Sequence, residues 1–382
     1  MTDAGLTFTF GIEEEFFLVD PQTRDIIADP NPAIIEQCQR TCGPHSVVPE
    51  FLRSQLETNT RVCASITDLR MALTETRRLV AEAAAAHGAR VMATSTHPFA
   101  AWREQLVTPK QRYREFEIQM QEVVRRFLVG GMHIHAGFGD PDSRIRVMTA
   151  ARRYLPLFIA LSASSPFNAG SYTGFSSYRS IVIGALPRTG MPRAFGSQAE
   201  FDDLVTEYRR AGSLRDSSEL WLDIRPHNAF PTIELRICDI CPRMDDAIAL
   251  AALYAATLRW LQRRDASEGL PPEPSTEIII ENCWRARRYG TLAFIGDAEH
   301  GGHRDIADSV EALLAEVAED ARALDCEREL CRIPSILRDG SSADRQVERY
   351  RLSLLDGADR REALHAVVDQ ILAETCAGIS DA

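Results

Sequence analysis

Apolar and polar residues alternate with a period of two in several short stretches and recur with a helical period in longer ones. The stretch LTFTFGIEEEFFLVD (6–20) reads as the first strand, closed by Asp20-Pro21. The Asp- and Pro-rich residues 29–32 and a short helical segment follow, then a second strand through Glu50 to Thr58. The run DLRMALTETRRLVAEAAAAH is an amphipathic helix that Thr67 or Asp68 can cap and Gly88 ends. ARVMATSTHPF (89–99) is a strand closed by Pro98, and a helix from about Tyr113 leads into the strand GGMHIHAGFGD. Residues 143–162 are helical, and 163–196 form a loop-rich stretch of Ser, Gly, Pro and aromatics. TIELRICD is another strand, and DDAIALAALYAATLRWLQRR is apolar enough all round to be a buried helix. The chain from about Glu277 is helical apart from a Gly/His-rich interruption at Gly296 to His303.

No glycine-rich strand-to-helix turn, internal repeat or linker interrupts this order, and GLPPEPS (269–275) reads as a loop within a domain. The expectation is one α+β domain over residues 1–382, with helices packed on a mainly antiparallel sheet.

Composition narrows the functional classes. A net charge of −12 argues against nucleic acid as a partner. No apolar run is long enough to cross a membrane, and the N-terminus lacks the pattern of a signal peptide. Nine scattered cysteines suit reduced thiols in a cytoplasm. Lys110, in a polar turn entering a helix, is the only lysine, so a Walker-type phosphate loop is absent. A protein of this composition that handles phosphates must do so with arginines and metal ions.

Charge on strands is the informative feature. Alternation puts Glu13 and Glu15 on one face and Glu14 on the other. Two like charges on one buried face call for a positive partner, and a divalent ion is the economical one. A solvated edge strand is the bland alternative. Glu50 and Glu57 stand seven residues apart; His133 and His135 share a strand face; Glu234 and Arg236 share a face opposite Ile233, Leu235 and Ile237. Each case alone has an ordinary explanation, as a salt bridge or a core histidine. Four together point to one sheet face lining a site.

These segments resemble the bacterial carboxylate–amine ligases of the glutamate–cysteine ligase 2 type. The resemblance is carried by GIEEEFFLVD, the two acids at 50 and 57, ATSTHPF, GGMHIHAGFGD, SSPF with SSYRS, WLDIRPH, IELRICD and RARRYG, over residues 8–290. It implies a glutamine-synthetase-like fold, a funnel on one face of a curved antiparallel sheet, with a helical C-terminal part at 291–382. It implies metal ligation by Glu13, Glu15, Glu50, Glu57, His133 and Glu234. It gives Arg236 the nucleotide phosphates, with Arg179, Arg225 and Arg288 as further contacts to substrate carboxylate or phosphate. Glu234 and Arg236 are the implied catalytic pair. Three positions depart from the family pattern: Glu14 adds a carboxylate, Arg53 replaces an acid, and Glu50 stands where aspartate is common.

The implied cofactors are ATP and magnesium, with manganese able to substitute at a histidine ligand. The implied reaction passes through an acyl phosphate: glutamate, cysteine and ATP give γ-glutamylcysteine, ADP and phosphate. A homodimer is a further expectation from the resemblance. Three other readings remain open on the residues: a metal-dependent hydrolase with a dinuclear Glu/His site, a phosphotransferase of the guanidino-kinase kind, and a non-catalytic metal- or nucleotide-binding module. Cys238-x-x-Cys241 is read as a pair of buried or wall-lining thiols, with zinc or redox chemistry as the minor alternative.

Overall fold

The computed structural model describes residues 7–297 and 301–379. Leu6 of the first expected strand, and part of the Gly/His-rich interruption, lie outside them. Seven strands form one sheet: β1 (Thr9–Val19), β2 (Ser46–Pro49), β3 (Gln55–Asn59), β4 (Arg90–Met92), β5 (Met132–Gly137), β6 (Ile224–Pro226) and β7 (Thr232–Leu235). Their order is β6-β7-β5-β1-β3-β2, and every pairing in it is antiparallel. β4 pairs with β1 at Phe17–Val19, past the end of β5.

The back of the sheet is apolar. Ile12, Phe16, Leu56, Met132, Ile134, Ala136, Ile233 and Leu235 are buried in one core. Against it lie α1 (Ile66–Ala86) and, later in the chain, a helix over Met244–Ser267 whose residues 246–262 are all buried. Burying every face of that helix removes the need for an amphipathic stripe, as its sequence indicated. An ion pair crosses this apolar layer. Glu14 points to the back of β1 and is fully buried against Arg77 of α1, which donates from Nε at 2.9 Å. Arg77 also donates to the carbonyls of Pro242 and Cys241, each at 2.7 Å. Thus Glu14 clamps the sheet to α1 and to the segment entering the long buried helix.

The far end of the front face is covered by the C-terminal chain. Phe17, Val19 and Met92 pack with Leu364, Val367, Val368, Ile371 and Leu372 of the helix Arg360–Cys376. The remainder of the front face borders a cavity walled by other segments of the chain.

Several expected boundaries move. The second strand is a hairpin, β2 and β3, and Glu50 lies in the connection between them. The cap of α1 is Ser65, whose side chain accepts from the backbone N–H of Asp68 at 3.1 Å; Asp68 itself pairs with Arg61. The strand at 89–99 stops at Met92, because Thr94, Ser95, Thr96 and His97 direct their side chains into hydrogen bonds with backbone elsewhere in the chain. The helix over 143–162 divides into α2 (Pro141–Ala151) and α3 (Leu155–Ser162) around a short 3₁₀ turn, near Pro156, which lacks a backbone donor. Residues 294–296 and 303–305 pair as a two-stranded hairpin.

Candidate active site

Register assembles the site. On the front face Glu13 stands opposite His133, Glu15 opposite Glu57, and His135 opposite both Gly11 and Glu234. The directly opposed glutamates Glu15 and Glu57 are a repulsive pair, unfavourable in any sheet without a cation between them. Glu50 joins them from the β2–β3 connection, where its carboxylate accepts from the backbone N–H of Phe51 at 2.9 Å.

The acidic and histidine side chains fall into two clusters. Glu15, Glu50 and Glu57 bring ligand atoms within 4.8 Å of one another, and so do Glu13, His135 and Glu234. His133 bridges toward the second cluster, with Nδ1 2.9 Å from Glu13 and 3.7 Å from Glu234. His135 Nε2 is 3.2 Å from the other oxygen of Glu13. Five of the six residues expected as metal ligands thus share one sheet face, Glu50 joins them from the β2–β3 connection, and His135 adds a seventh donor. Its role was open in the sequence, although its position two residues from His133 already placed it on that face.

The electrostatics of the two clusters differ. Burial and then the Glu50 charge push Glu15 up to about 7. Burial, Glu50 and Glu13 push Glu57 well above the usual carboxylate range. This cluster is short of positive charge. Three carboxylates with no neighbouring nitrogen ligand form an oxygen donor set that fits a hard divalent cation. Glu13, by contrast, lies well below the usual range despite burial, because His133 and His135 hydrogen-bond to it. Burial, with Arg236 nearby, holds His133 down at about 4, so its imidazole is neutral and can ligate. The mixed Glu/His set suits magnesium less well than the first and admits manganese.

Arginines close the site. Arg236 and Arg225 both hydrogen-bond Glu234, Arg225 Nε at 2.8 Å, and together they outweigh burial to keep that carboxylate ionised. Arg225 also donates to the carbonyls of Ser218 and Leu220, which makes it a positioning group more than a free ligand contact. Arg179 is buried, and its guanidinium donates toward the carbonyls of Arg236 and Ile237. Gly131 is what admits it, and Gly130 lets the chain pass close to β1. A Cβ on Gly131 would stand 2.3 Å from Arg179 Nη2, and one on Gly130 would stand 2.8 Å from the carbonyl oxygen of Glu15.

These residues border a cavity of about 950 Å³ lined by Glu15, Glu50 and Glu57, by Glu13 and His133, and by Arg179, Arg225 and Arg236, with Phe51, Tyr113, Phe116 and Trp221 on its walls. Glu234 and His135 are not among the lining residues. Arg288 is not among the lining residues; it donates to the carbonyl of Gly174 and stacks near Phe175 and Tyr289. Its neighbour Arg287 faces the cavity instead, beside Asp223. Sequence reasoning missed both, although each lies in a motif it had singled out. A helix turns about 100° per residue, so adjacent arginines on the helix Thr276–Tyr289 face different surroundings.

Cys238 and Cys241 do not reach the cavity. β7 ends at Leu235, so strand parity no longer governs position 238, and both thiols are buried in the apolar core. Burial pushes Cys238 up to about 12 and Cys241 well above its ordinary value, which leaves them as unreactive packing groups.

The profile of "Glutamate-cysteine ligase family 2(GCS2)" matches residues 9–370. A relative from Rhodospirillum rubrum, named "Putative glutamate--cysteine ligase 2", is 42% identical over 373 residues, covering 97% of this chain and 96% of its own. One of the same name from Paracoccus denitrificans is 40% identical, covering 96% and 97%. Among solved structures, glutamate–cysteine ligase from Francisella tularensis in complex with AMP superposes with a TM-score of 0.66 at 14% identity, over 99% of this chain and 91% of that one. A bifunctional glutathione synthetase from Pasteurella multocida gives 0.70 at 15% identity, over 97% and 53%. These two similarities establish the fold, and the expected α+β class is borne out. With the profile matching almost the whole chain and the relatives matching end to end, this chain belongs to glutamate–cysteine ligase family 2.

Proposed function

We propose that the protein is an ATP-dependent carboxylate–amine ligase that makes an amide through an acyl phosphate, with glutamate and cysteine as its reference substrates and γ-glutamylcysteine as the product. The observation that carries this reading is the pair of neighbouring ligand clusters at one side of the sheet, of which Glu13, Glu15, Glu50 and Glu57 line a single cavity with His133, Arg236 and Arg179. A carboxylate approaching a triphosphate must overcome mutual repulsion. Magnesium or manganese held by Glu15, Glu50 and Glu57, and by Glu13, His133, His135 and Glu234, would supply the charge that offsets it.

The chain's own groups do the rest. Arg236, anchored on Glu234, presents fixed donors to phosphate oxygens without reorganising as charge develops. Arg225 fixes the Glu234 carboxylate from the other side, so this ligand is oriented before any cation arrives. The cavity walls keep water from the acyl phosphate, which would otherwise hydrolyse. Arg188 and Arg215 at the walls add positive charge for the nucleotide and substrate anions.

The test is ADP release with ATP and magnesium, screened over amino-acid carboxylates with and without cysteine or other amines. ADP that depends on one carboxylate–amine pair establishes the ligase and identifies both substrates. ADP without any amine moves the reading to a phosphotransferase, and metal-dependent hydrolysis without nucleotide moves it to a hydrolase. Glu234→Gln is expected to lower kcat at least 100-fold while circular dichroism stays unchanged. Wild-type turnover in that variant would remove Glu234 from the site.

A further inference from the structure

Arg179 and Arg236 line the same cavity although their segments lie far apart in the chain. The carboxylate of Asp239, buried just past the end of β7, joins them. Its Oδ2 accepts from the backbone N–H of Ser164 at 2.9 Å and from the hydroxyl of Ser165 at 2.7 Å. Its Oδ1 accepts from the hydroxyl of Ser177 at 2.9 Å. All three serines are buried. Ser165 Oγ accepts in turn from the backbone N–H of Arg179 at 3.1 Å. At its other end, the Arg179 guanidinium donates to the carbonyls of Arg236 and Ile237 at 3.2 and 3.4 Å. Residues 236–239 therefore hold Arg179 at both ends, and the same segment carries Arg236.

Asp239 itself does not line the cavity. Among the described residues, every hydrogen-bond donor to its carboxylate belongs to the motifs SSPF and SSYRS. Burial pushes the carboxyl above its ordinary value even so. A buried acid is costly, so packing alone would favour an apolar residue here. Arg179 opens the short helix Arg179–Ile183, whose N-cap residue Tyr178 offers no side-chain cap. The first N–H of that helix has no partner within it, and Ser165, oriented by Asp239, supplies the acceptor.

We propose that Asp239 is a positioning residue for the ligase reaction: through Ser165 it fixes Arg179 beside Arg236, so that the two guanidiniums meet a substrate oxyanion as a preset pair. Donors held in place before the anion arrives need not reorganise around it, which is where their advantage over solvent lies. This inference rests on the ligase reading and adds to it a residue that touches no substrate.

The experiment is steady-state ADP release, with the Michaelis constants of ATP and of the carboxylate measured separately. Arg179→Gln identifies which of the two depends on this arginine. Asp239→Ala and Ser165→Ala are expected to raise that same constant about 10-fold and to leave the other within about twofold of wild type. In an Arg179→Gln background neither should raise it further, because the group they position is gone. Asp239→Asn, whose amide oxygen can still accept from Ser164 and Ser165, should recover most of the loss. A merely structural role would lower the fraction of active enzyme and so kcat, with both Michaelis constants unchanged, or would multiply with Arg179→Gln; either result overturns the proposal. So does an Arg179→Gln variant with both constants unchanged. If Asp239→Ala does not fold, Ser165→Ala decides by the same criteria. A wild type that releases no ADP with any carboxylate–amine pair overturns the ligase reading. The crystal structure of Ser165→Ala then decides the positioning: a displaced Arg179 guanidinium supports it, and one still packed on Gly131 overturns it.

Discussion

Glu57 illustrates how a residue can oppose the fold it belongs to. It sits directly across from Glu15 with Glu50 alongside, and its nearest hydrogen-bond partner is the amide of Asn59, at 2.8 Å. Replacing it with glutamine removes one of three crowded charges. Glu57→Gln is therefore expected to melt higher than the wild type in metal-free buffer at pH 8, by a few degrees, and to lose most of the stabilisation that magnesium confers. A lower metal-free melting temperature would contradict this. Glu15 adds a pH dependence. Its folded value of about 7 exceeds the ordinary 4.5, so the folded protein binds more protons between these values, and metal-free stability falls as pH rises through that window. Metal competes with that proton. The rise in melting temperature on adding magnesium should be larger at pH 8, where Glu15 is mostly ionised, than at pH 6. Strand parity exposed most of this cluster in the sequence. It could not reveal that Glu50 arrives from a connection, because a loop follows no period.

At the scale of elements, the Glu14–Arg77 pair joins β1 to α1 and to the carbonyls at 241 and 242. Its desolvation is offset only while both partners remain. Arg77→Met leaves a buried charge and two unpaired carbonyls, and is expected to lose about 3–5 kcal/mol in chemical denaturation. The double variant Glu14→Leu/Arg77→Met, with no charge left to bury, should recover much of that loss. A double variant as unstable as the single one would mean that the carbonyl contacts dominate. Parity placed Glu14 on the back face, whereas the arginine that meets it sits 63 residues away. The helix Arg360–Cys376 poses the same difficulty. Its sequence reads as helical, yet only packing shows that it covers one end of the front face and leaves the other for the site.

For the molecule as a whole, the segment ATSTHPF contributes through His97 to stability. Its Nδ1 accepts from the backbone of Phe99 and Ala100, and its Nε2 donates to the carbonyl of Arg24, so the ring must be neutral. Burial holds it down at about 3, against 6.5 when exposed. The unfolded chain binds the extra proton first, so stability is whole above about pH 6.5 and is lost progressively toward pH 3. Denaturation midpoints measured from pH 7 to pH 4 should fall, and His97→Asn should flatten part of that slope.

Local pattern was sufficient for the fold class, the faces of the strands, and the carboxylates and histidines of one sheet face, because strand parity depends only on neighbouring residues. It was insufficient wherever function depends on which distant segments meet. The sorting of ligands into two clusters follows from strand register. The choice of Arg287 over Arg288 follows from the rotation of one helix against the sheet, and the serines gathered around Asp239 come from segments 62 to 75 residues away in sequence. Contacts of that kind are selected by the packing of the whole core, and no period within a single segment encodes them.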